Sequence, residues 1–237
     1  MLKLQNRLKK IKSYIRDNSA VYDVGTDHAL IPAALVLEGH TGSITASDVA
    51  EGPIQRAREN VLAYGVQDKI KICLADGLQG IELEERADVI IAGMGGDLIC
   101  DIIDRKPEIL TGDKRLILQA MTKQELLNDY LAEKGFDIID GGYVSDTENG
   151  KIYCVIVAEY SGEPYELTEV QRVLGAIPCE ITAGDRLFPY AILHEIEVTE
   201  KKLKGKKLGE ADFSDEESLV CELKRIHKAV CITNQNI

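Results

Sequence analysis

Leu4, Leu8, Ile11 and Ile15 recur at spacings of four, three and four, which predicts an amphipathic helix over residues 2–16 with a basic opposite face. Beyond it, short apolar runs alternate with helical stretches. AVYDV (20–24), GSITASDV (42–49), IKICLA (70–75), ADVIIAG (87–93) and RLILQA (115–120) read as strands. Helices are predicted from about His28 to Glu38, from Pro53 to Tyr64, from Leu98 to Ile103 and from Lys123 to Lys134. Pro53 suits a first helical turn, and Gly135 suits a helix end. The run at 87–93 is nearly all apolar, which predicts a central strand buried on both faces. Such alternation implies a parallel sheet. FDIIDGGYVSD and KIYCVIVAEY, joined by the polar turn TENG, read as an antiparallel pair closing it.

SGEPYEL (161–167) reads as a linker, after which strands cease. Leu193, Ile196 and Leu203 sit roughly on one helical stripe, and Leu219, Leu223, Ile226 and Val230 repeat the four-three-four spacing of a seam between helices. Residues 204–209 and 212–215 are expected to form the turn between these two helices. The chain therefore divides into a Rossmann-like α/β part, 1–161, and a small helical part, 162–237, ending in a helical hairpin.

At 237 residues, 45% hydrophobic and 29% charged, the chain can bury a full core. Its charged start lacks the apolar stretch of a signal peptide, and no apolar run reaches the length of a membrane span. We therefore expect a cytoplasmic protein with no membrane partner. The six cysteines form no C-x-x-C pair and no zinc pattern, so no metal is expected. A net charge of -12 weighs against a nucleic-acid partner. The charge is unevenly placed, however. Lys3, Arg7, Lys9, Lys10, Lys12 and Arg16 face no acid in the first sixteen residues, and Lys201, Lys202, Lys204, Lys206 and Lys207 form a second basic run. Screening limits the reach of distant acids to roughly 10 Å, so such patches can hold a phosphate backbone locally. A solvated helix face explains either run taken alone equally well.

The chemistry-bearing residues sit at strand ends. In open parallel sheets ligands bind at the carboxyl ends of the strands, near the switch point. There, Asp23-Val24-Gly25-Thr26-Asp27-His28 sits where the first predicted strand meets the first helix after it, and Gly25 permits a tight turn and close approach to a ligand. Asp27 and Leu30 replace the second and third glycines of a dinucleotide fingerprint, and carboxylates there would repel a pyrophosphate. A methionine-type cofactor, with an ammonium and a sulfonium, suits them instead. Asp48 ends the second strand, where an acid can bind ribose hydroxyls or simply hold a turn. Asp76-Gly77 follows the third, where the carboxylate could accept from an adenine amine or merely form an Asp-Gly turn. Gly93, Gly95 and Gly96 around Met94 imply close backbone approach to something flat or bulky, with Met94 alternatively a core plug.

Gly25-Thr26-Asp27-His28-Ala29 with Pro32, Asp48-Val49 with Gly52-Pro53, Asn60, Asp76-Gly77-Leu78, Ile91 to Gly96, Leu118-Gln119 and Lys151-Ile152-Tyr153 together resemble the TrmK family, bacterial methyltransferases of N1 of the adenine at tRNA position 22. The resemblance implies a class I methyltransferase sheet with an antiparallel final strand, S-adenosylmethionine as cofactor and tRNA as partner. It implies a cofactor site at Asp23, Gly25, Asp27, His28, Asp48, Val49, Asp76, Gly77, Gly93, Met94 and Gly95, with Met94 and the Gly95-Gly96 backbone flooring the pocket. The N1 lone pair is nucleophilic in neutral adenine, so no strong base is needed. Asp27 is then the expected catalytic residue, bonding the adenine amine and offsetting positive charge, while His28 is structural or a phosphate contact. The helical hairpin and the basic N-terminal helix are the expected tRNA contacts. The alternatives are methylation of another RNA site, a small molecule or a protein, or a cofactor-binding module without catalysis. An NAD-dependent oxidoreductase is disfavoured by the missing glycines.

Overall fold

The computed structural model describes residues 2–146, 150–182, 184–209 and 212–234. Seven strands form one sheet: β1 (Ala20–Val24), β2 (Ile44–Asp48), β3 (Ile70–Leu74), β4 (Arg86–Gly95), β5 (Asp113–Thr122), β6 (Phe136–Ser145) and β7 (Ile152–Tyr160). Their order is β3-β2-β1-β4-β5-β7-β6. β1 to β5 are parallel, and β7 runs antiparallel to both β5 and β6. The TENG turn expected between the last two strands falls at residues 147–150, and 147–149 lie outside the described residues. The strand order reverses between β1 and β4, so the crevice expected to take a ligand opens above that pair.

The remaining elements are helices: α1 (Asn6–Lys12), α2 (Leu30–Leu37), α3 (Glu51–Ala63), α4 (Gly96–Asp104), α5 (Gln124–Glu133), α6 (Glu169–Leu174), α7 (Cys179–Thr182), α8 (Phe188–Leu208) and α9 (Ser214–Asn234). α4 and α5 cover one sheet face, where Ile99, Ile102, Leu127 and Leu131 meet Val89, Ile91, Leu116 and Leu118. α1, α2 and α3 cover the other, bringing Ile11, Ile31, Ala57 and Val61 onto Val21, Ile90 and Ile117. Successive residues of β4 thus enter opposite cores, which is why that run is apolar throughout. Among the described residues no helix is long and apolar enough to cross a membrane.

α1 is shorter than the periodicity over 2–16 predicts, and the cause lies in another part of the chain. Asp88, fully buried at the start of β4, accepts from the Arg16 backbone N–H (2.6 Å), Arg16 Nε (2.7 Å) and Ser19 Oγ (2.7 Å). Arg16 also donates to the backbone oxygens of Ala87 (3.0 Å) and Asp113 (3.1 Å) and pairs with the Asp113 carboxylate. An unpaired charge at that depth would be expensive, so the chain leaves the helix after Lys12 to deliver Arg16. Arg16 is therefore a structural cation rather than part of an open basic patch. Lys12 is likewise paired, with Glu38.

Two further expectations are corrected in the last third. α8 continues to Leu208, so residues 204–208 are helix and not turn. Its buried stripe is Ile192, Ile196 and Thr199, at i, i+4 and i+7; Leu193 is 40% exposed because one residue turns the helix by about 100°. On α9, Leu223 is buried, with Leu219, Ile226 and Val230 packed on the same cluster, as the spacing predicts. Residues 161–167, expected as a linker, are pinned to the sheet. The N–H groups of Ser161 and Gly162 both donate to the Gly135 oxygen, and Tyr165 Oη donates to the Phe136 oxygen. α6 is then clamped to α5, as Arg172 meets Asp129 at 2.7 Å and Asn128 donates to the Arg172 oxygen at 2.7 Å.

α6 starts with a reciprocal cap: Thr168 Oγ1 accepts from the Gln171 N–H (3.2 Å), and Gln171 Oε1 accepts from the Thr168 N–H (2.9 Å). Thr168→Ala should lower unfolding free energy by about 1 kcal/mol in urea titration, with the denaturant slope unchanged.

Candidate active site

The carboxyl ends of β1 and β4 meet at a cleft of about 540 Å³, lined by Asp23, Gly25, Thr26, Asp27, His28 and Ala92 on the sheet side and by Lys3, Gln5, Arg7 and Leu8 from the N-terminal segment; Asp48 and Asp76 are not among its lining residues. Strand register sets this up, since Val24 stands beside Ser47 of β2 and Ile91 of β4. The loop after β1 is fastened at once: the N–H groups of Gly25 and Thr26 both donate to the Ser47 oxygen, at 2.8 and 2.9 Å.

That loop curls through left-handed backbone at alternate residues, with φ of 70° at Gly25, 47° at Asp27 and 49° at Ala29. For Asp27 and Ala29 this conformation costs of order 1 kcal/mol or more each, so the surroundings must impose it. Asn60 Nδ2 of α3 donates to the His28 oxygen at 3.0 Å and lies 3.4 Å from His28 Nδ1. Arg56, one turn earlier, donates to Asp27 Oδ1 from Nε (3.2 Å) and Nη2 (2.5 Å). His28 Nε2 lies 3.3 Å from the other Asp27 oxygen. The α3 helix thus holds the shape of the loop.

Asp23 is buried, and its Oδ2 accepts from Thr26 Oγ1 at 2.5 Å. Burial pushes its carboxyl up to about 6; Asp48 pushes the same way, and the Thr26 hydrogen bond opposes both. An acid kept in this condition suits a cationic ligand. Gly25 faces the cleft, and a Cβ there would lie 2.1 Å from Met94 Cε, so the methionine covers the glycine. Met94 is also packed on the core, which supports the plug reading of this residue.

The other predicted site residues fall into two sets. Asp48 uses Oδ1 to accept from the Ala50 N–H at 2.9 Å, forming the turn that its position allowed. Val49 beside it is 68% exposed, an apolar surface at the rim. Asp76 stands just past the end of β3 but is engaged by Nη1 of Arg105, the residue that follows α4, at 2.9 Å and by Gln79. Gly77 has φ of 61° and its open side lies against Ile102. The glycines around Met94 are partly explained without a ligand, which corrects the reading of all three as a ligand approach. A Cβ on Gly96 would lie 2.2 Å from the Lys123 oxygen, and one on Gly95 would lie 2.6 Å from Asp97 Oδ1, so both serve the packing of α4. Gly93, with φ of 80°, faces Arg7.

Arg7 and Arg56 were not singled out by the sequence. Arg7 Nη1 donates to Gln119 Oε1 at 2.9 Å, and its guanidinium lies 5.8 Å from the Tyr153 ring centroid. It is one cation of the basic N-terminal run, distinguished only by the strand that it meets. Much of the second run is paired internally, Lys202 with Glu125, Lys206 with Glu216 and Lys207 with Glu217.

A parallel sheet with an antiparallel final strand, and acids at the ends of its first three strands beside a glycine turn, define a Rossmann-like class I methyltransferase. Residues 4–156 match the family model described as a methyltransferase domain. The chain is 35% identical over 158 residues to the tRNA (adenine(22)-N(1))-methyltransferase of Bacillus subtilis, an alignment spanning 67% of this chain and 66% of that protein. A proposed tRNA (m1A22) methyltransferase of Streptococcus pneumoniae, solved in complex with S-adenosyl-L-methionine, superposes with a TM-score of 0.77 at 31% identity, covering 92% of this chain and 97% of that one. The crystal structure of Bacillus subtilis TrmK superposes at 0.71 with 27% identity, covering 98% and 99%. The chain belongs to the TrmK family.

Proposed function

We propose that the protein transfers a methyl group from S-adenosylmethionine to N1 of the adenine at position 22 of tRNA. The observation that carries this reading is the placement of Asp23, Asp48 and Asp76 at three successive strand ends in a chain of the TrmK family. The residues present fit the cofactor. Asp23 has no cationic partner among the described residues and would hold the α-ammonium; Asp48 would accept from the ribose hydroxyls through the oxygen not used by Ala50. Val49 offers its exposed side chain to one face of the cofactor adenine, and Asp76, with Gly77 behind it, would accept from the adenine amine. Gly25, with φ of 70°, turns the backbone so that the loop from Asp23 to His28 lines the cleft that would take the methionine part.

The cofactor supplies an electrophilic methyl group on its sulfonium. The protein's task is to hold N1 in line with it, an orientation effect worth roughly 7–11 kcal/mol at best. As N1 becomes bonded, positive charge spreads into the ring and its amine. Asp27, at the cleft wall, accepts from that amine and offsets the charge. His28 has its backbone oxygen held by Asn60 and its ring between Asn60 and Asp27, which suits a positioning role; no proton needs removing from neutral adenine. A base inside folded tRNA must be turned out of its stack, at about a few kcal/mol. Lys3 and Arg7, which line the cleft, and the helical hairpin are the proposed grips on the tRNA.

The direct test is methyl transfer from labelled S-adenosylmethionine to an unmodified tRNA transcript, with the nucleoside identified by mass spectrometry. N1-methyladenosine should appear with adenine at position 22 and vanish when that base is replaced. Methylation of another nucleoside, or none despite cofactor binding, would remove the assignment. Asp48→Ala should weaken cofactor affinity at least tenfold by calorimetry, about 1.4 kcal/mol. An unchanged titration would take Asp48 out of the site.

A further inference from the structure

A second cavity, of about 350 Å³, lies where the carboxyl end of β5 and the start of β7 face α6 and α8. Met121, Tyr153 and Val198 give it an apolar and aromatic patch; His194 and Glu195 of α8 bring polar groups to one side, and Thr122, Lys123, Gln124, Glu125 and Lys151 line it from the β5 and β7 sides. A single layer of side chains separates it from the cofactor cleft. Arg7, which lines the cleft, donates to Gln119, and Gln119 Nε2 lies 3.5 Å from Met121 Sδ, which lines the cavity. The Arg7 guanidinium also faces the ring of Tyr153, on the cavity wall.

Glu195 makes the cavity more than a packing gap. Its carboxylate is partly buried and has no hydrogen bond or ion pair among the described residues. Burial, and secondarily Glu125, push its carboxyl up to about 7, with Lys202 acting against them. Lys202 does not relieve it, being held by Glu125 at 3.0 Å. A partly buried acid with no partner among the described residues is a candidate for a ligand contact. The volume is at the low end of small-molecule pockets, roughly 300–1,000 Å³. The apolar and aromatic patch beside His194 and Glu195 suits a flat ligand with a hydrogen-bonding edge.

We propose that this cavity receives an unpaired nucleobase next to the target adenine in the same RNA, with Glu195 and His194 contacting its polar edge. The proposal rests on the tRNA reading above. It gives the helical region a defined part in substrate recognition, because both polar contacts come from α8. Holding the neighbouring base out of the stack also helps to expose the target.

The test compares Glu195→Ala, Glu195→Gln and His194→Ala with the wild-type protein on one tRNA transcript, at saturating cofactor. Glu195→Ala should raise KM for tRNA at least tenfold, with kcat within twofold, cofactor Kd unchanged and a melting temperature no lower than the wild type's. Glu195→Gln, which keeps a hydrogen-bonding edge, should recover part of the loss, and His194→Ala should raise KM about threefold. In parallel, a transcript carrying a photoreactive base beside the target should crosslink, on wild-type protein, to peptides within residues 151–160 or 188–201. An unchanged KM, an effect on kcat alone, or a crosslink confined to other peptides overturns the proposal even if the variants fold poorly. A wild-type protein that methylates tRNA in the same assay separates that failure from failure of the tRNA reading. One that methylates no RNA removes both.

Discussion

Asp23→Asn is expected to make the cofactor-free protein more stable at pH 7.5 and to weaken S-adenosylmethionine binding roughly 30-fold, about 2 kcal/mol for a lost charged hydrogen bond. The two effects share one cause. Asp23 is buried, and its carboxyl is pushed up to about 6 from 3.8 by desolvation first and by Asp48 after that. A folded-state value above the unfolded one means that the folded chain binds the extra proton. Its stabilising contribution is present below pH 3.8 and is lost as pH rises through about 6. At neutral pH the ionised carboxylate therefore destabilises the free protein by up to about 3 kcal/mol, two pKa units at 1.36 kcal/mol each. Asparagine has the same shape and can still accept from Thr26 Oγ1, but it cannot ionise.

The same acid gives the wild-type protein a pH-dependent affinity. Below about pH 6 the free site holds a proton that the cofactor ammonium must displace, so affinity should fall about tenfold per pH unit. Calorimetric titrations between pH 7.5 and 5 should show that slope in the wild-type protein and lose it in Asp23→Asn. Thermal melts should place the variant several degrees higher without cofactor and close the gap at saturating cofactor. A variant that melts lower without cofactor, or binds it as tightly, would mean that the carboxylate is not reserved for a cation.

Asp23, Asp48 and Asp76 were legible because a strand end followed by a glycine or a helix start is a local pattern, and the parallel sheet then aligns all such ends on one rim. What each carboxylate touches was not. Asp27 meets Arg56, 29 residues away, and Arg7 meets Gln119, 112 residues away. Those distances collapse only once strand order and register bring the elements together. The N-terminal helix shows the same limit from the opposite side. Its apolar period continues to Ile15, yet a buried Asp88, 72 residues from Arg16, ends the helix early. Charge run by charge run, the sequence suggested open basic patches, whereas Arg16, Lys12, Lys202, Lys206 and Lys207 are paired within the fold. Helical periodicity survived where side chains pack on near neighbours, as along α9, and failed at Leu193 where one residue of phase decided burial.

Asp27→Ala should lower the single-turnover rate of methyl transfer at least 100-fold, about 3 kcal/mol, while cofactor Kd stays within threefold. The carboxylate does not face the cleft alone: Arg56 holds one oxygen and His28 approaches the other. That arrangement fixes the side chain in a strained part of the backbone, at φ of 47°, and in the proposed role would spare the reaction the cost of arranging it. It also leaves Asp27 acting as an acceptor and a partly offset charge, not as a base. The two contributions can be separated, because Asp27→Asn keeps an acceptor oxygen for the adenine amine but carries no charge. If charge on the methylated ring is what Asp27 offsets, Asn should fall close to Ala. If accepting from the amine is enough, Asn should retain a tenth or more of the wild-type rate. Arg56→Gln, which frees the carboxylate from its partner, should raise KM for tRNA through loss of positioning while cofactor affinity holds. Full activity in Asp27→Ala would remove it from the reaction and leave the curled loop a purely structural feature of the cleft.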